Sequence, residues 1–534
     1  MSRMRRKALS KANKRRWIEF EEDAVKEICV NTYGDGNRLS KKSARNVTVS
    51  TNFFANKNII TFNEYKYFTG LTYVSANDFR SSKIEHITFP VTMKNLRGEN
   101  GLGLGCFSNT KLTEVDIRNI TEIGSYVFYF APIQKINLRG LKTLSLNVFP
   151  YQNNIIEVHV NSMDDYLRYN CGCDHTGKSG YPTRNGAQLY IVGKLLEDYT
   201  MPDSYTAVPN GLFGGAIQLI NFGFNNCKVI GNGAFYGCKN LQTDTLPENL
   251  TSIGDFAFQD CVKITVSSLP ETITSIGQSA FRNCPLVTFT SLPSLLKGTI
   301  GSYTFYGCKN ARIANIPSGI TTIGNSAFYG SGIAASDMSN VTSIEYQAFY
   351  NCKNLQGVSL PKLTTLGKNA FYGCSNLYFM ALADLKNIPD YVFQNCTTLT
   401  IPDSVRLSGS IATYVFDACS NLVITDDMIA GVTSIGTGAF RGCKKLLITK
   451  LPIGVKAINS LVFNDSNLKR IRLEQESMVT YAGSTNSYVN RAFLNNTQIY
   501  VPDNLVDTYK NDANWSKMIG FCSWVIKPLS DWVD

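Results

Sequence analysis

Apolar residues recur along the chain at one nearly constant interval. Between residues 213 and 463 a phenylalanine returns every 21 to 24 residues. Most of these phenylalanines follow one phrase, in which hydroxyl residues, an isoleucine and a glycine precede Ala-Phe, as at residues 251–258. Each interval predicts a coil that buries an Ile or Leu from a short strand and a Phe from the opposite turn. Because a lone coil has no neighbour to cover these side chains, the pattern predicts a solenoid of stacked repeats. The twelve turn phenylalanines are Phe213, Phe235, Phe258, Phe281, Phe305, Phe328, Phe349, Phe371, Phe393, Phe416, Phe440 and Phe463.

Glycines occur on both sides of the phenylalanine in many of the repeats. The glycine that precedes Ala-Phe, such as Gly254, is expected to occupy a tight turn with positive φ. A second glycine follows two residues after several of the phenylalanines, as Gly373 follows Phe371. We expect this second glycine to close the next turn.

A cysteine stands three residues after most of the turn phenylalanines. Neighbouring rungs of a solenoid point the same way, whereas a disulfide needs a specific paired approach of two Cβ atoms. Ser331 and Ser466 replace the cysteine in two coils without leaving another cysteine unpaired. We therefore expect small, buried thiols and no disulfides along this ladder. The ladder consists of Cys238, Cys261, Cys284, Cys308, Cys352, Cys374, Cys396, Cys419 and Cys443.

The repeat resembles a known family. A fixed period of 20 to 29 residues is that of leucine-rich-repeat solenoids. The order Leu-Pro, Thr-Ser-Ile-Gly, Ala-Phe and Cys with a following Leu, seen at residues 269–286, resembles the BspA-like leucine-rich repeats of anaerobic gut and oral bacteria. Residues 18–72, 185–204 and 499–529 are similar to the N-terminal cap, inter-repeat insertion and closing module of such proteins. The resemblance implies an adhesion or surface-binding protein without catalytic residues.

The predicted fold is a β-rich leucine-rich-repeat solenoid with one short strand and one turn or 3-10 segment per coil of about 23 residues. Short helices are expected in the terminal caps, with Asp503 as a helix N-cap, and in the stretch around residue 165, with Ser162 as a helix N-cap. Six segments are predicted. They are a basic arm (1–17), an N-terminal cap (18–72), a first repeat section (73–154), an insertion (155–210), the main repeat array (211–470) and a C-terminal capping module (471–534).

The charge of the chain is concentrated at its start. Eight of the net +11 charges lie in residues 1–16, which contain no acid. The arm either docks on nucleic acid or an acidic protein surface, or forms a solvated tail. No apolar run typical of a secretory signal follows it, and no run of 18 apolar residues predicts a membrane span. The basic residues are Arg3, Arg5, Arg6, Lys7, Lys11, Lys14, Arg15 and Arg16.

Three stretches resemble metal-binding or nucleotide-binding motifs. Residues 31–43 resemble a calcium loop, but Lys42 or Ser43 stands where a bidentate acid belongs. Residues 172–179 match a phosphate-binding loop, yet Gly180 and Pro182 follow at once and prevent the helix that such a loop requires. Cys171, Cys173 and His175 have neither the usual zinc spacing nor a fourth ligand. We therefore predict no metal, nucleotide or other cofactor.

Catalytic residues are scarce. The chain has three histidines, and no zinc-protease, nucleophile-elbow or dinucleotide motif stands in its required context. The sequence thus predicts a protein that is not an enzyme.

A row of tyrosines is the candidate binding surface. Directly after the turn phenylalanine, four consecutive coils carry Tyr306, Tyr329, Tyr350 and Tyr372. If the phenylalanines point inward, these tyrosines should point outward at intervals of about 5 Å. Tyrosine offers a rigid apolar body and a hydroxyl at low entropic cost, which suits a sugar or a protein partner. The alternative is that the rings only cover the turn and lean on one another.

These observations favour a non-enzymatic binding protein. The bacterial resemblance, with a basic arm in place of an export signal, predicts a virion-associated fibre or attachment component of a phage. Such a component would recognise a protein or glycan on a bacterial surface and contact other virion proteins through its arm. Two alternatives stay open. One is a secreted or surface adhesin of a gut bacterium, and the other is a cytoplasmic interaction protein whose arm binds nucleic acid.

Overall fold

Short parallel strands, one or two per coil, stack their main-chain hydrogen bonds from coil to coil. The computed structural model describes residues 16–49, 52–98, 105–145, 148, 155–168, 187–483 and 491–533. The chain forms two units. Unit 1 comprises residues 1–243 and 254–262, and unit 2 comprises residues 244–253 and 263–534. Both units have the predicted solenoid fold, while the six-segment division of the chain stays a prediction.

Unit 1 joins cap helices to the first coils. Its helices are α1 (Asp23–Tyr33), α2 (Lys41–Arg45) and α3 (Met163–Arg168), with 3-10 turns at Asn52–Phe54 and Asn63–Tyr67. Its strands are β1 (Thr61–Phe62), β2 (Tyr73–Val74), β3 (His86–Ile87), β4 (Asn95–Leu96), β5 (Glu114–Val115), β6 (Glu122–Ile123), β7 (Lys135–Asn137), β8 (Thr143–Leu144), β9 (Glu157–Val160), β10 (Gln188–Ile191), β11 (Lys194–Leu195), β12 (Asp198–Thr200), β13 (Ala207–Val208), β14 (Asn221–Gly223) and β15 (Val229–Ile230).

Most sheets of unit 1 are formed by parallel strands from successive coils. The parallel orders are β2-β4-β6-β8, β5-β7-β9-β10, β1-β3, β12-β14 and β13-β15. Strands β10 and β11 form an antiparallel hairpin around residue 192. The Ser162 hydroxyl accepts a hydrogen bond from the Asp165 amide at 3.1 Å, which confirms its predicted role at the start of α3.

Unit 2 contains most of the regular coils and the C-terminal cap. Its helices are α4 (Asp426–Ile429), α5 (Val506–Asn511) and α6 (Ala513–Cys522), with 3-10 turns at Asp503–Leu505 and Leu529–Asp531. Its strands are β16 (Ser252–Ile253), β17 (Ser275–Ile276), β18 (Gly298–Ile300), β19 (Ile320–Ile323), β20 (Ser343–Ile344), β21 (Val358–Leu360), β22 (Thr365–Leu366), β23 (Phe379–Leu382), β24 (Leu385–Ile388), β25 (Leu407–Ile411), β26 (Gly431–Ile435), β27 (Ala457–Ile458), β28 (Arg470–Arg472), β29 (Thr480–Tyr481), β30 (Gln498–Val501) and β31 (Val525–Pro528).

The strand pairs of unit 2 are parallel. The longer sheets are β18-β19-β20-β22, β24-β25-β26 and β28-β30-β31, and the two-stranded sheets include β21-β23 and β27-β29. Some coils contain two strands, as between Phe349 and Phe371, where β21 and β22 lie on different sheets. No helix in the described ranges of either unit is long and apolar enough to cross a membrane.

The phenylalanine turns form a ladder of their own. Within unit 2 the rings of Phe328, Phe349 and Phe371 stack almost in parallel, with centroids 5.5 and 5.3 Å apart. All three rings are fully buried. The amide of Phe349 donates to the carbonyl of Ala370 in the next coil at 2.8 Å. The turn is therefore tied to its neighbour by both backbone and side chain.

Two residues in each regular turn adopt left-handed backbone conformations. They stand two residues before and two residues after the phenylalanine, as Gln347 (φ 55°) and Asn351 (φ 57°) flank Phe349. The amides of Gln347 and Asn351 donate to the next coil at 3.1 and 2.7 Å. The left-handed conformation thus accompanies amides that bond along the stack.

The two glycine predictions have different outcomes. Gly373, two residues after Phe371, has a φ of 71°, as expected. Gly254 does not have a positive φ, so that prediction is wrong. A Cβ on Gly254 would lie 2.4 Å from Oδ1 of Asn232 and 2.6 Å from the amide nitrogen of that residue. This glycine is required because the preceding coil leaves no room for a side chain.

The cysteine ladder is buried and forms no disulfides, which confirms the prediction for the described cysteines. Eight of the ladder thiols also donate to a phenylalanine carbonyl one coil back. Cys374 reaches the carbonyl of Phe349 at 2.9 Å, and Cys396 reaches that of Phe371 at 3.0 Å. The carbonyl of Phe349 also accepts from the amide of Cys352 at 3.1 Å. The thiols therefore satisfy buried carbonyls as well as filling space.

We predict that the ladder thiols of the native protein resist alkylation. Burial raises the pKa of Cys308 and of Cys352 to about 12, so both remain protonated in mildly alkaline solution, and only the thiolate reacts readily. Incubation with iodoacetamide followed by peptide mass spectrometry should find both residues unmodified in native protein and fully modified in denaturant. Stoichiometric labelling of native Cys352 would contradict this account.

The end of the solenoid in unit 2 is closed by an aromatic cluster. Trp515 of α6 is fully buried, and its indole donates to the carbonyl of Val479 at 2.9 Å. The Tyr509 hydroxyl accepts from the amide of Val479 at 2.7 Å. The predicted N-cap at Asp503 is wrong, because its carboxylate accepts from the Ser530 amide at 3.1 Å instead of capping a helix. Asp512 caps α6.

Candidate binding surface

The four predicted tyrosines form one stacked row in unit 2. Ring centroids are 4.6 Å apart from Tyr306 to Tyr329, and 4.5 Å apart from Tyr329 to Tyr350 and from Tyr350 to Tyr372. The rings are parallel to within 13° and half-buried. The structure thus brings together all four residues at the predicted interval. We call Tyr306, Tyr329, Tyr350 and Tyr372 the tyrosine row.

Stacking determines what the tyrosine row can offer to a ligand. A ring that stacks on both sides has no free face, so a sugar cannot lie flat on Tyr329 or Tyr350. Ring edges and hydroxyl groups remain accessible, and both carry partial positive charge. The predicted leaning of the rings on one another is therefore observed, whereas ligand binding by the row stays a prediction.

The hydroxyls of Tyr329 and Tyr350 remain protonated at neutral pH. Burial, followed by the neighbouring phenols, raises the pKa of Tyr350 to about 12 and raises the pKa of Tyr329 in the same direction. The Tyr350 and Tyr372 hydroxyls share a hydrogen bond. The Tyr372 oxygen also accepts from the side-chain amide of Asn395 at 3.2 Å. The row therefore presents hydrogen-bond donors to solvent.

Charged residues continue the same register position beyond both ends of the row. Arg282 directly follows Phe281, and its guanidinium lies 5.3 Å from the ring centroid of Tyr306. At the other end, Asp417 accepts hydrogen bonds from Gln394 and Arg441, each at 2.7 Å. The sequence places all these residues directly after a turn phenylalanine, so this periodicity could have identified them.

The predicted binding surface does not include several further tyrosines that stand on the same turn. Tyr303, Tyr391 and Tyr414 stand two residues before the phenylalanine, and Tyr346 stands three before it. Arg282 lies 5.0 Å from the ring of Tyr303, and Tyr391 stacks on Tyr414 at 5.7 Å. Tyr346 is 43% exposed. Counting tyrosines at every position of the turn, instead of at one position, would have revealed this wider aromatic surface.

The other predicted features fall outside the described residues or have structural partners. Of the eight basic residues of the arm, Arg16 is the one that the structure describes; it is exposed and lies 5.4 Å from the ring centroid of Trp17. The Asp35 carboxylate accepts from the amides of Asn37 and Arg38, which lowers its pKa. The cysteine and histidine cluster at 171–175 and the loop at 172–179 lie outside the described residues. Elsewhere, across the part of the chain that is described, no three His, Cys, Asp or Glu side chains form a metal-binding group.

One family of known proteins matches most of the chain. The family model for the BspA type leucine-rich repeat region, with six copies, matches residues 47–173, 192–298, 290–400 and 409–511. No curated protein sequence matches the chain.

Several solved structures are similar. A leucine-rich repeat protein from Bacteroides ovatus is 21% identical, with a TM-score of 0.36 over 54% of this chain and 92% of that one. A leucine-rich cell surface protein from Faecalibacterium prausnitzii is 21% identical, with a TM-score of 0.33 over 55% and 90%. The pneumococcal vaccine antigen PcpA is 14% identical, with a TM-score of 0.27 over 82% and 84%.

Proposed function

Since the chain belongs to the BspA-type leucine-rich repeat family, whose members are generally binding scaffolds, we propose that it is a non-enzymatic protein that binds a surface molecule through the tyrosine row. One observation carries this proposal. Four consecutive coils present stacked, half-buried tyrosines at intervals of 4.5 to 4.6 Å. Rigid aromatic side chains with exposed hydroxyls lose little conformational entropy when they bind a partner.

A cell-binding assay tests this proposal. Labelled full-length protein is incubated with a panel of gut bacteria, and bound protein is measured by flow cytometry. We expect Tyr329→Ala and Tyr350→Ala each to weaken binding about thirtyfold, which is the loss of about 2 kcal/mol typical of one interface hot-spot residue. Tyr378→Ala is the matched control, because Tyr378 is 40% exposed and its ring lies against Gly357, which is not part of the tyrosine row. Equal binding by all variants would exclude the row as the binding surface.

The narrower proposal is that the protein acts as a virion-associated fibre or attachment component recognising a bacterial host. The cluster of eight basic residues in 1–16 supports it, since such an arm can dock on an acidic protein surface. A surface adhesin of a gut bacterium is the alternative that the tyrosine row fits equally well. Mass spectrometry of purified phage particles decides between them. Stoichiometric peptides from residues 213–463 would support the virion proposal, and their restriction to bacterial surface fractions would refute it.

A further inference from the structure

The outer side of the tyrosine row is rich in hydrogen-bond donors. Four phenol groups follow one another along the row, and each hydroxyl carries one donor hydrogen. One of these hydrogens lies in the bond between Tyr350 and Tyr372, which leaves the others for a ligand. The ring edges add weak positive potential. A ligand that complements this surface must therefore supply acceptors.

The charges around the row favour an anion. Arg282 forms no ion pair with any acid in the described ranges, and its Nε is buried without a hydrogen-bond partner. Its guanidinium is held over the rings of Tyr303 and Tyr306, 5.0 and 5.3 Å from their centroids. An arginine fixed in this way can bind a carboxylate or phosphate through two parallel hydrogen bonds.

Two of the acids near the row are paired with cations, and a third accepts a hydrogen bond from a backbone amide. Glu345 accepts from the amide of Asn325 at 2.9 Å. Asp390 accepts from the amide of Thr413 at 3.0 Å and pairs with Lys368 at 3.2 Å. Asp417 is held by Arg441. Lys368 and Arg441 are thus neutralised by acids, whereas Arg282 is a cation of this surface that no acid among the described residues pairs with.

We propose that the tyrosine row and Arg282 bind an acidic polysaccharide laid along the stack of coils in unit 2, with one anionic group on the Arg282 guanidinium. This inference rests on the proposed function and names the class of ligand. The phenol hydroxyls donate to the ring and hydroxyl oxygens of successive sugars. The anionic group is a carboxylate or a phosphate, because both accept the paired donors of arginine.

The spacing of the row favours a sugar chain over an extended peptide. Side chains on the same face of an extended peptide repeat at about 6.6 Å, whereas the tyrosine rings repeat at 4.5 to 4.6 Å. A peptide would therefore lose register with the row within two coils. A pyranose whose two glycosidic bonds lie on opposite sides of its ring lengthens the polysaccharide by close to the height of one coil. Each sugar can therefore contact one tyrosine.

Binding measurements on the full chain test the ligand class. Biolayer interferometry would compare polygalacturonate, a phosphomannan, neutral dextran and poly-L-glutamate. We expect binding to at least one of the two acidic polysaccharides, which also identifies the anion, and a clear loss of affinity as salt is raised. Arg282→Gln and the double variant Tyr329→Phe with Tyr350→Phe should each weaken this binding by at least tenfold. The phenylalanines keep the stack and remove only the hydroxyls.

Matched variants and ligands make the result decisive. Arg406→Gln replaces an exposed arginine, and Tyr378→Phe removes a hydroxyl that lies against Gly357. Both variants should bind as the unchanged protein does. Equal binding of dextran, or binding of poly-L-glutamate alone, would overturn the acidic polysaccharide. Loss of cell binding in the alanine variants with no polysaccharide bound would overturn this inference and leave the proposed function standing.

Discussion

Replacing Phe349 with alanine is expected to lower the free energy of unfolding of unit 2 by about 3–5 kcal/mol. Phe349 is fully buried and stacks on Phe328 and Phe371. Its removal leaves a cavity in the middle of the ladder, and its neighbours cannot close the gap because backbone hydrogen bonds on either side fix the height of the coil. Chemical denaturation followed by circular dichroism measures the effect.

Two variants separate the cavity from other effects of this substitution. Phe349→Leu keeps most of the volume and should cost less than about 1.5 kcal/mol. Tyr350→Ala removes the adjacent half-buried ring and should cost clearly less than Phe349→Ala, because solvent can fill the space that it leaves. Similar losses at Phe349 and Tyr350 would show that the ladder does not have the energetic role assigned to it.

Replacing Trp515 with alanine is expected to have the second large effect, on both stability and association. The indole contacts the rings of Tyr509 and Trp524, with centroids 5.2 and 5.9 Å away, and donates to the Val479 carbonyl. We expect a loss of about 3–5 kcal/mol and concentration-dependent association, since an uncovered coil end presents unpaired strand edges. Denaturation and light scattering measure the two consequences.

Trp515→Phe provides the matched control for the cap. It keeps an aromatic ring in the cluster and removes the indole donor, so the loss should be smaller and the protein should stay monodisperse. A Trp515→Ala variant that is as stable and as monodisperse as the unchanged protein would refute the capping role of α6.

The inward side of the solenoid could be predicted because its side chains repeat. Phe349 and Cys352 occupy equivalent positions in successive coils, so period and register alone predict their burial. The thiol bond from Cys374 to the carbonyl of Phe349 could not be predicted, because sequence does not show which carbonyl of the preceding coil is within reach.

The turn backbone was harder to predict because local preference is overridden by stacking. Phe256 and Leu461 adopt φ values of 58° and 62°, which side chains of their kind rarely do. The amide of Leu461 donates along the stack to the carbonyl of Arg491 at 3.2 Å. Glycine was expected to mark such positions, yet Gly254 marks a close approach between coils instead.

The spacing of the candidate site could be predicted from the sequence, but the contacts of its side chains could not. The interval of the tyrosine row follows from the height of one coil, but the orientation of its rings depends on contacts between coils. Arg282 is visible in the sequence only as another residue after a phenylalanine. Its lack of an acidic partner is a property of the folded surface, and so is the pairing of Asp417 with Arg441.

The backbone bonds of the phenylalanine turn have an evolutionary consequence. Gln347, Phe349 and Asn351 donate to the next coil, and Asn369, Phe371 and Gly373 repeat the same three bonds one coil later. Because these bonds involve only the main chain, recombination between two coils in the same frame would preserve them whatever side chains were exchanged. Insertion or deletion of a coil would then lengthen or shorten the tyrosine row by one ring. The length of the binding surface could thus change in evolution with the number of coils, while the buried residues of each coil stay the same.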